Sequence, residues 1–90
     1  QVGRDAELNV IADKDAQFEQ AFRNVGRVLS AAEMSFADVV ELETWLLDFP
    51  GDLPLLMRVK DRYLADVRPT WTGFGVSAFS MPGIALEVRV

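Results

Sequence analysis

The 90-residue chain contains no cysteine and no histidine. Without cysteine there is no disulfide framework, no thiol nucleophile and no thiolate metal site. Without histidine there is neither a histidine-based catalytic triad nor a histidine-ligated zinc. Positive charge is also short. Nine Lys and Arg stand against fourteen Asp and Glu, for a formal net charge of −5 and a pI near 4.5. The basic residues are scattered rather than clustered, which opposes binding to nucleic acid or to an anionic membrane surface. No apolar run approaches the roughly 20 residues that span a bilayer, and no signal peptide is visible. The expectation is a cytoplasmic protein with no metal and no cofactor.

What is present is a globular composition: 50% hydrophobic residues and 26% charged. One small domain over residues 1–90 follows, and association would help so short a chain bury apolar surface. The chain opens on Gln1-Val2-Gly3 without an initiator Met and stops at Val90 inside a strand-like run. Both ends therefore read as interior to a longer domain.

Gln1 to Ala12 reads as a strand end and a loop. Asp13 can cap a helix from Lys14, and Asp15 suits its positive end. Phe18, Phe22, Val25, Leu29 and Ala32 make one apolar stripe. The helix should end near Ala32-Glu33-Met34, with Glu33 in the left-handed position that glycine usually takes. After a short connection at 35–38, Val39 to Leu47 alternates as a strand. It should pack Val40, Leu42, Thr44 and Leu46 under helices and turn Val39, Glu41, Glu43, Trp45 and Leu47 the other way. Residues 48–51 are a turn by composition. Asp52 and Pro54 then start a second helix carrying Leu53, Leu56, Met57, Lys60, Tyr63 and Leu64. Arg68-Pro69 stops it. Thr70 to Ala78 and Ile84 to Val90 read as two strands joined by a Pro-Gly turn. The order strand, helix, strand, helix, strand, strand is a layered α/β (α+β) sheet with two helices on one face. Its other face needs a cover, most simply another copy of the chain.

Glu87 sits between Leu86 and Val88 on the last strand. A carboxylate among apolar neighbours is costly to bury unpartnered. It is either a partly buried group that positions a water or a surface residue on an edge strand. Arg89, two residues on, shares its sheet face and completes either an anion-and-water site or a local ion pair. Trp71 is either packing or an aromatic wall to a pocket. Gly73 and Gly75 permit close approach by a ligand or a neighbouring chain. Lys60 and Tyr63, three apart on one helical face, are further pocket candidates, although such a Lys more often reaches to solvent. Glu41 and Glu43 share a strand face, but without further acids in register they make no metal site.

Many short matches, in order, resemble the RidA/YjgF family of reactive enamine/imine deaminases, also called the endoribonuclease L-PSP family. Gln1-Val2-Gly3, the stretch from Ala16-Gln17 through Asn24-Val25-Gly26-Arg27-Val28-Leu29, Asp38-Val39-Val40 with Thr44 and Asp48, Val59 to Pro69, and Leu86-Glu87-Val88 carry the resemblance. It implies a chorismate mutase-like, ferredoxin-like mixed sheet and a homotrimer with small-molecule clefts at its three subunit interfaces. It also implies about two strands upstream of Gln1. Of the family's site, Glu87, Gly3 and the backbone around Thr72 and Gly73 are matched; Glu87 is the expected catalytic residue, and Tyr63, Trp71 and Arg89 join Gly3, Thr72 and Gly73 as expected substrate-binding residues.

The departures from the family pattern bear on function. Trp71 stands where active deaminases carry an Arg that grips the substrate carboxylate. Gly73 stands where a Cys often follows, Lys60 replaces an Asn and Glu33 replaces a Gly. An indole cannot supply the charge-assisted bidentate contact. Turnover of 2-imino acids should therefore be weak unless Lys60, Arg68 or Arg89 substitutes. Two readings stay open: a divergent imine hydrolase in which Glu87 orients water and Trp71 selects a more apolar substrate, and a trimeric binding protein without turnover. Ribonuclease activity, attributed to some relatives, is disfavoured by the acidic charge and the missing histidine.

Overall fold

The computed structural model describes residues 1–90. Helix α1 spans Lys14–Ala31, strand β1 Glu41–Leu46, helix α2 Leu53–Leu64, strand β2 Thr70–Gly75 and strand β3 Leu86–Arg89. The sheet order is β2-β1-β3, with β2 parallel and β3 antiparallel to β1. The last two strands are shorter than the expected 70–78 and 84–90. The last two strands flank β1 and do not pair with each other. The segment between them carries β3 across to the far side of β1, because both of β1's edges offer hydrogen bonds while a tight turn would serve only one. Gln1 and Val2 add a strand end outside β3, through a Val2–Glu87 bridge and a Val88 N–H bond to the Gln1 carbonyl at 2.8 Å.

Helix α1 starts where its chemistry dictates. The Asp13 carboxylate accepts from the Ala16 N–H at 2.9 Å, and Glu33 takes a φ of 60° just past the end. Phe18, Phe22, Val25 and Leu29 are buried against the sheet, whereas Ala32 is already exposed at the C-cap. Ser35 and Asp38 form a capping box around a short 3₁₀ turn, Phe36–Asp38, that redirects the chain. That turn breaks the alternation expected ahead of β1. Val39 is buried and Val40 is 81% exposed, the reverse of the expected faces. From Glu41 onward the alternation holds, with Leu42, Thr44 and Leu46 buried.

Helix α2 buries Leu56, Val59 and Leu64. The expected Met57 is 45% exposed; Val59, three residues after Leu56, takes its place in the core. Asp52 occupies the N-cap position but makes no side-chain cap. Its carboxylate instead meets Lys14 of α1 at 2.9 Å, so it ties the starts of the two helices together. Both helices lie on one sheet face, and Phe18, Phe22, Leu42, Leu46, Leu56 and Leu86 are the large side chains of the core between them. No helix is long and apolar enough to cross a membrane.

Three polar side chains of α1, spaced three and four apart, hold the N-terminal segment. Gln17, 1% exposed, donates to the carbonyls of Ile11 and Gly83 and accepts from the Ala85 N–H, each at 2.8 Å. Asn24 donates to the Val2 and Arg4 carbonyls at 2.9 and 3.0 Å, and Gln20 donates to Asn24 at 2.9 Å. This clamp fixes residues 2–4 beside β3.

Candidate functional site

The β1 register sorts the expected site residues onto two faces. Thr44 lies opposite Gly73 and Val88, and Leu42 opposite Trp71, so Trp71 and Gly73 belong to the helix side. Trp45 lies opposite Phe74 and Glu87, and Glu43 opposite Thr72 and Arg89. Glu87, Arg89 and Thr72 therefore share the helix-free side with Glu41, Glu43, Trp45 and Phe74. Within one chain, Glu87 and Trp71 are separated by the sheet.

The helix-free face has its own order. Trp45 and Phe74 stack with centroids 5.8 Å apart, and the Arg89 guanidinium lies 5.5 Å from the Trp45 ring. Arg89 pairs with Glu43 across the strands, not with Glu87 along its own strand. That hydrogen bond, followed by the charges of Glu43, Glu41 and Glu87, holds the Arg89 pKa above its ordinary value. Glu87 is exposed rather than partly buried, and no Lys or Arg lies within ion-pair distance of it. It stands at a cavity of about 740 Å³ between this face and the 76–81 segment. Trp45, Phe79, Met81 and Ile84 give the cavity an apolar lining, and Arg4, Glu87 and Arg89 its charged side chains. The volume suits a small organic molecule.

On the helix side, Trp71 Nε1 donates to Thr44 Oγ1 at 2.9 Å, and the Lys60 ammonium lies 5.0 Å from the indole. Lys60 and Arg68 share with Trp71 a smaller cleft of about 330 Å³ at the β2 edge. Lys60 is also paired with Asp61 at 2.8 Å. A Cβ on Gly73 would meet Thr44 Oγ1 at 3.4 Å, an ordinary contact, so space alone does not demand a glycine there. Tyr63 lies between the helices, stacked on Phe22 at 5.4 Å, with its hydroxyl given to Glu19. Burial and then Glu19 push the Tyr63 pKa up, and the Tyr63 hydroxyl is the largest cause holding the Glu19 carboxyl below its ordinary value. Gly3 is buried against Gln17, where a Cβ would fall 2.1 Å from the Gln17 carbonyl oxygen. Its backbone needs glycine for packing, whatever else passes near it.

Sequence reasoning missed Arg4, which lies in a stretch read only as loop. The Asn24 contact that pins its carbonyl has no periodic signature.

The chain matches the endoribonuclease L-PSP family over residues 1–90. Its fold superposes on RidA from an Antarctic Psychrobacter with a TM-score of 0.89 at 30% identity, covering 98% of this chain and 71% of that one. A conserved Rid-family protein of unknown function, YyfB from Yersinia pestis, gives 0.85 at 27% identity, covering 98% and 69% of the two chains. Rv2704 of Mycobacterium tuberculosis, described as a member of the YjgF/YER057c/UK114 family, gives 0.82 at 26%, covering 87% and 65%. No curated protein matches the sequence significantly. The matched span and the shared fold lead to one conclusion: this chain belongs to the endoribonuclease L-PSP, or RidA/YjgF, family.

Proposed function

We propose that this protein binds a small organic molecule in clefts between copies of the chain, as a homotrimer, and hydrolyses an imine or enamine there. Water adds across the C=N bond, and a carbonyl compound and ammonia leave. Glu87 orients that water and accepts its proton. The observation that carries the reading is the position of Glu87: exposed, without a Lys or Arg at ion-pair distance, lining the 740 Å³ cavity on the helix-free face. The outer edge of β2 is unpaired, so both a bare strand edge and a bare sheet face invite a second chain. Such a chain would also bring a Trp71 cleft toward a Glu87 that the sheet otherwise separates from it.

The test is ammonia release from freshly generated 2-iminopropanoate and 2-iminobutanoate. Weak turnover in the wild type should fall about 100-fold or more in Glu87→Ala, the usual scale for a lost general base. It should rise in Trp71→Arg. Unchanged turnover in a folded Glu87→Ala protein removes Glu87 from the mechanism. Binding without turnover in the wild type favours the second reading, a non-catalytic binding protein. That reading is supported by Trp71, whose indole N–H is already committed to Thr44 and which offers no cation to a substrate carboxylate.

A further inference from the structure

Lys60, Arg68 and Arg89 were the open candidates to hold an anionic ligand once Trp71 is discounted, and the structure adds Arg4 to them. Lys60 and Arg68 line the helix-side cleft, on the other side of the sheet from Glu87. Lys60 is further occupied by Asp61, and Arg89 by Glu43 and the Trp45 ring. Arg4 differs from all three. Arg4 and Arg89 both line the same cavity as Glu87, but only half-buried Arg4 has no carboxylate within ion-pair distance. Its one side-chain partner is the Met81 sulfur at 3.7 Å, a weak acceptor for a group with five donors.

Arg4 is half-buried as a residue and its guanidinium has no anionic partner, which leaves its donors open to a ligand. Its backbone is fixed as well: the Arg4 N–H bonds the Val2 carbonyl at 3.0 Å, its carbonyl accepts from Asn24, and it bridges to Val10. The backbone's share of the ordering cost is therefore met before a ligand arrives. We propose that Arg4 is the anion-binding residue of this cavity. The ligand class is a small carboxylate with an apolar body, its carboxylate on Arg4, its body against Trp45, Phe79 and Met81, and its reacting end toward Glu87. This rests on the reading that the Glu87 cavity is the ligand site.

Met81 reports the binding without any turnover. The chain has three methionines, and Met34 and Met57, each 45% exposed and outside the cavity, serve as internal controls. With methyl-¹³C methionine, 4-methyl-2-oxopentanoate should shift the Met81 signal and leave the other two in place. Its methyl ester should bind about tenfold or more weakly, the scale of one charge-assisted contact. Arg4→Gln should bring the acid down to the ester's affinity, and Arg4→Lys should recover part of the difference. Unchanged amide spectra establish that the variants fold. Equal binding of acid and ester, or undiminished acid binding by Arg4→Gln, overturns the assignment. The outcomes separate the two proposals. Acid binding through Arg4 without ammonia release leaves this inference standing and removes the catalytic reading. Ammonia release with a silent Met81 does the opposite.

Discussion

Gln17 shows how one polar residue on an apolar stripe can organise a fold. Its side chain makes three hydrogen bonds, both N–H donors and the oxygen taking part, and joins α1 to the 11 and 83–85 segments. Gln17→Leu keeps the volume but strands two carbonyls and an N–H in a buried site. The expected loss is about 3 kcal/mol, read as a lower urea midpoint at constant m-value. Gly3→Ala should cost about as much, because the new methyl group meets backbone rather than a flexible side chain. Glu33 is the opposite case. Its φ of 60° strains any side chain, so Glu33→Gly should stabilise the protein by up to about 1 kcal/mol, checked by the same denaturation. The left-handed position at Glu33 was legible from the sequence, because a helix pattern ended there without its usual glycine. Gln17 and Arg4 were not legible, since their partners are backbone groups or residues far along the chain.

At the scale of elements, the contact between α1 and α2 carries a pH dependence through Glu19 and Tyr63. The Glu19 carboxyl titrates below its ordinary 4.5 in the folded chain, chiefly because Tyr63 donates to it. The folded state thus binds fewer protons there than the unfolded state. The resulting stability is present above pH 4.5 and fades as pH falls through the lowered folded value. Tyr63 titrates above its ordinary 10.0, so its contribution is complete below pH 10 and is lost as pH rises through the raised value. Tyr63→Phe keeps the stack on Phe22 and removes the hydroxyl. The stability gap between wild type and Tyr63→Phe should be wider at pH 6 than at pH 3; a gap independent of pH would contradict this linkage. Both helices and the alternation of β1 were readable because they depend on local period and caps. The partnership of β2 and β3 was not, because adjacent strand patterns joined by Pro-Gly look the same whether they pair with each other or flank a third strand.

For the whole molecule, one side of the sheet is closed by helices and the other carries Trp45, Phe74, Arg89, three glutamates and two threonines, all at least partly exposed. The family resemblance was visible in scattered short matches, and the match over residues 1–90 bears it out. The location of the site was less visible. Nothing in a linear pattern says that Trp71 and Glu87 face opposite ways until the β1 register is known. A site that uses both needs a second chain at the β2 edge or across the open face. Phe74, 42% exposed and stacked on Trp45, lies on that face.

The most direct measurement is therefore sedimentation equilibrium of the wild type and of Phe74→Arg. The arrangement proposed here predicts a wild-type mass of three chains of 10.0 kDa each, and dissociation of Phe74→Arg with its fold retained by circular dichroism. A folded wild-type particle of one chain, at concentrations where the ligand is bound or turned over, would contradict a site shared between subunits.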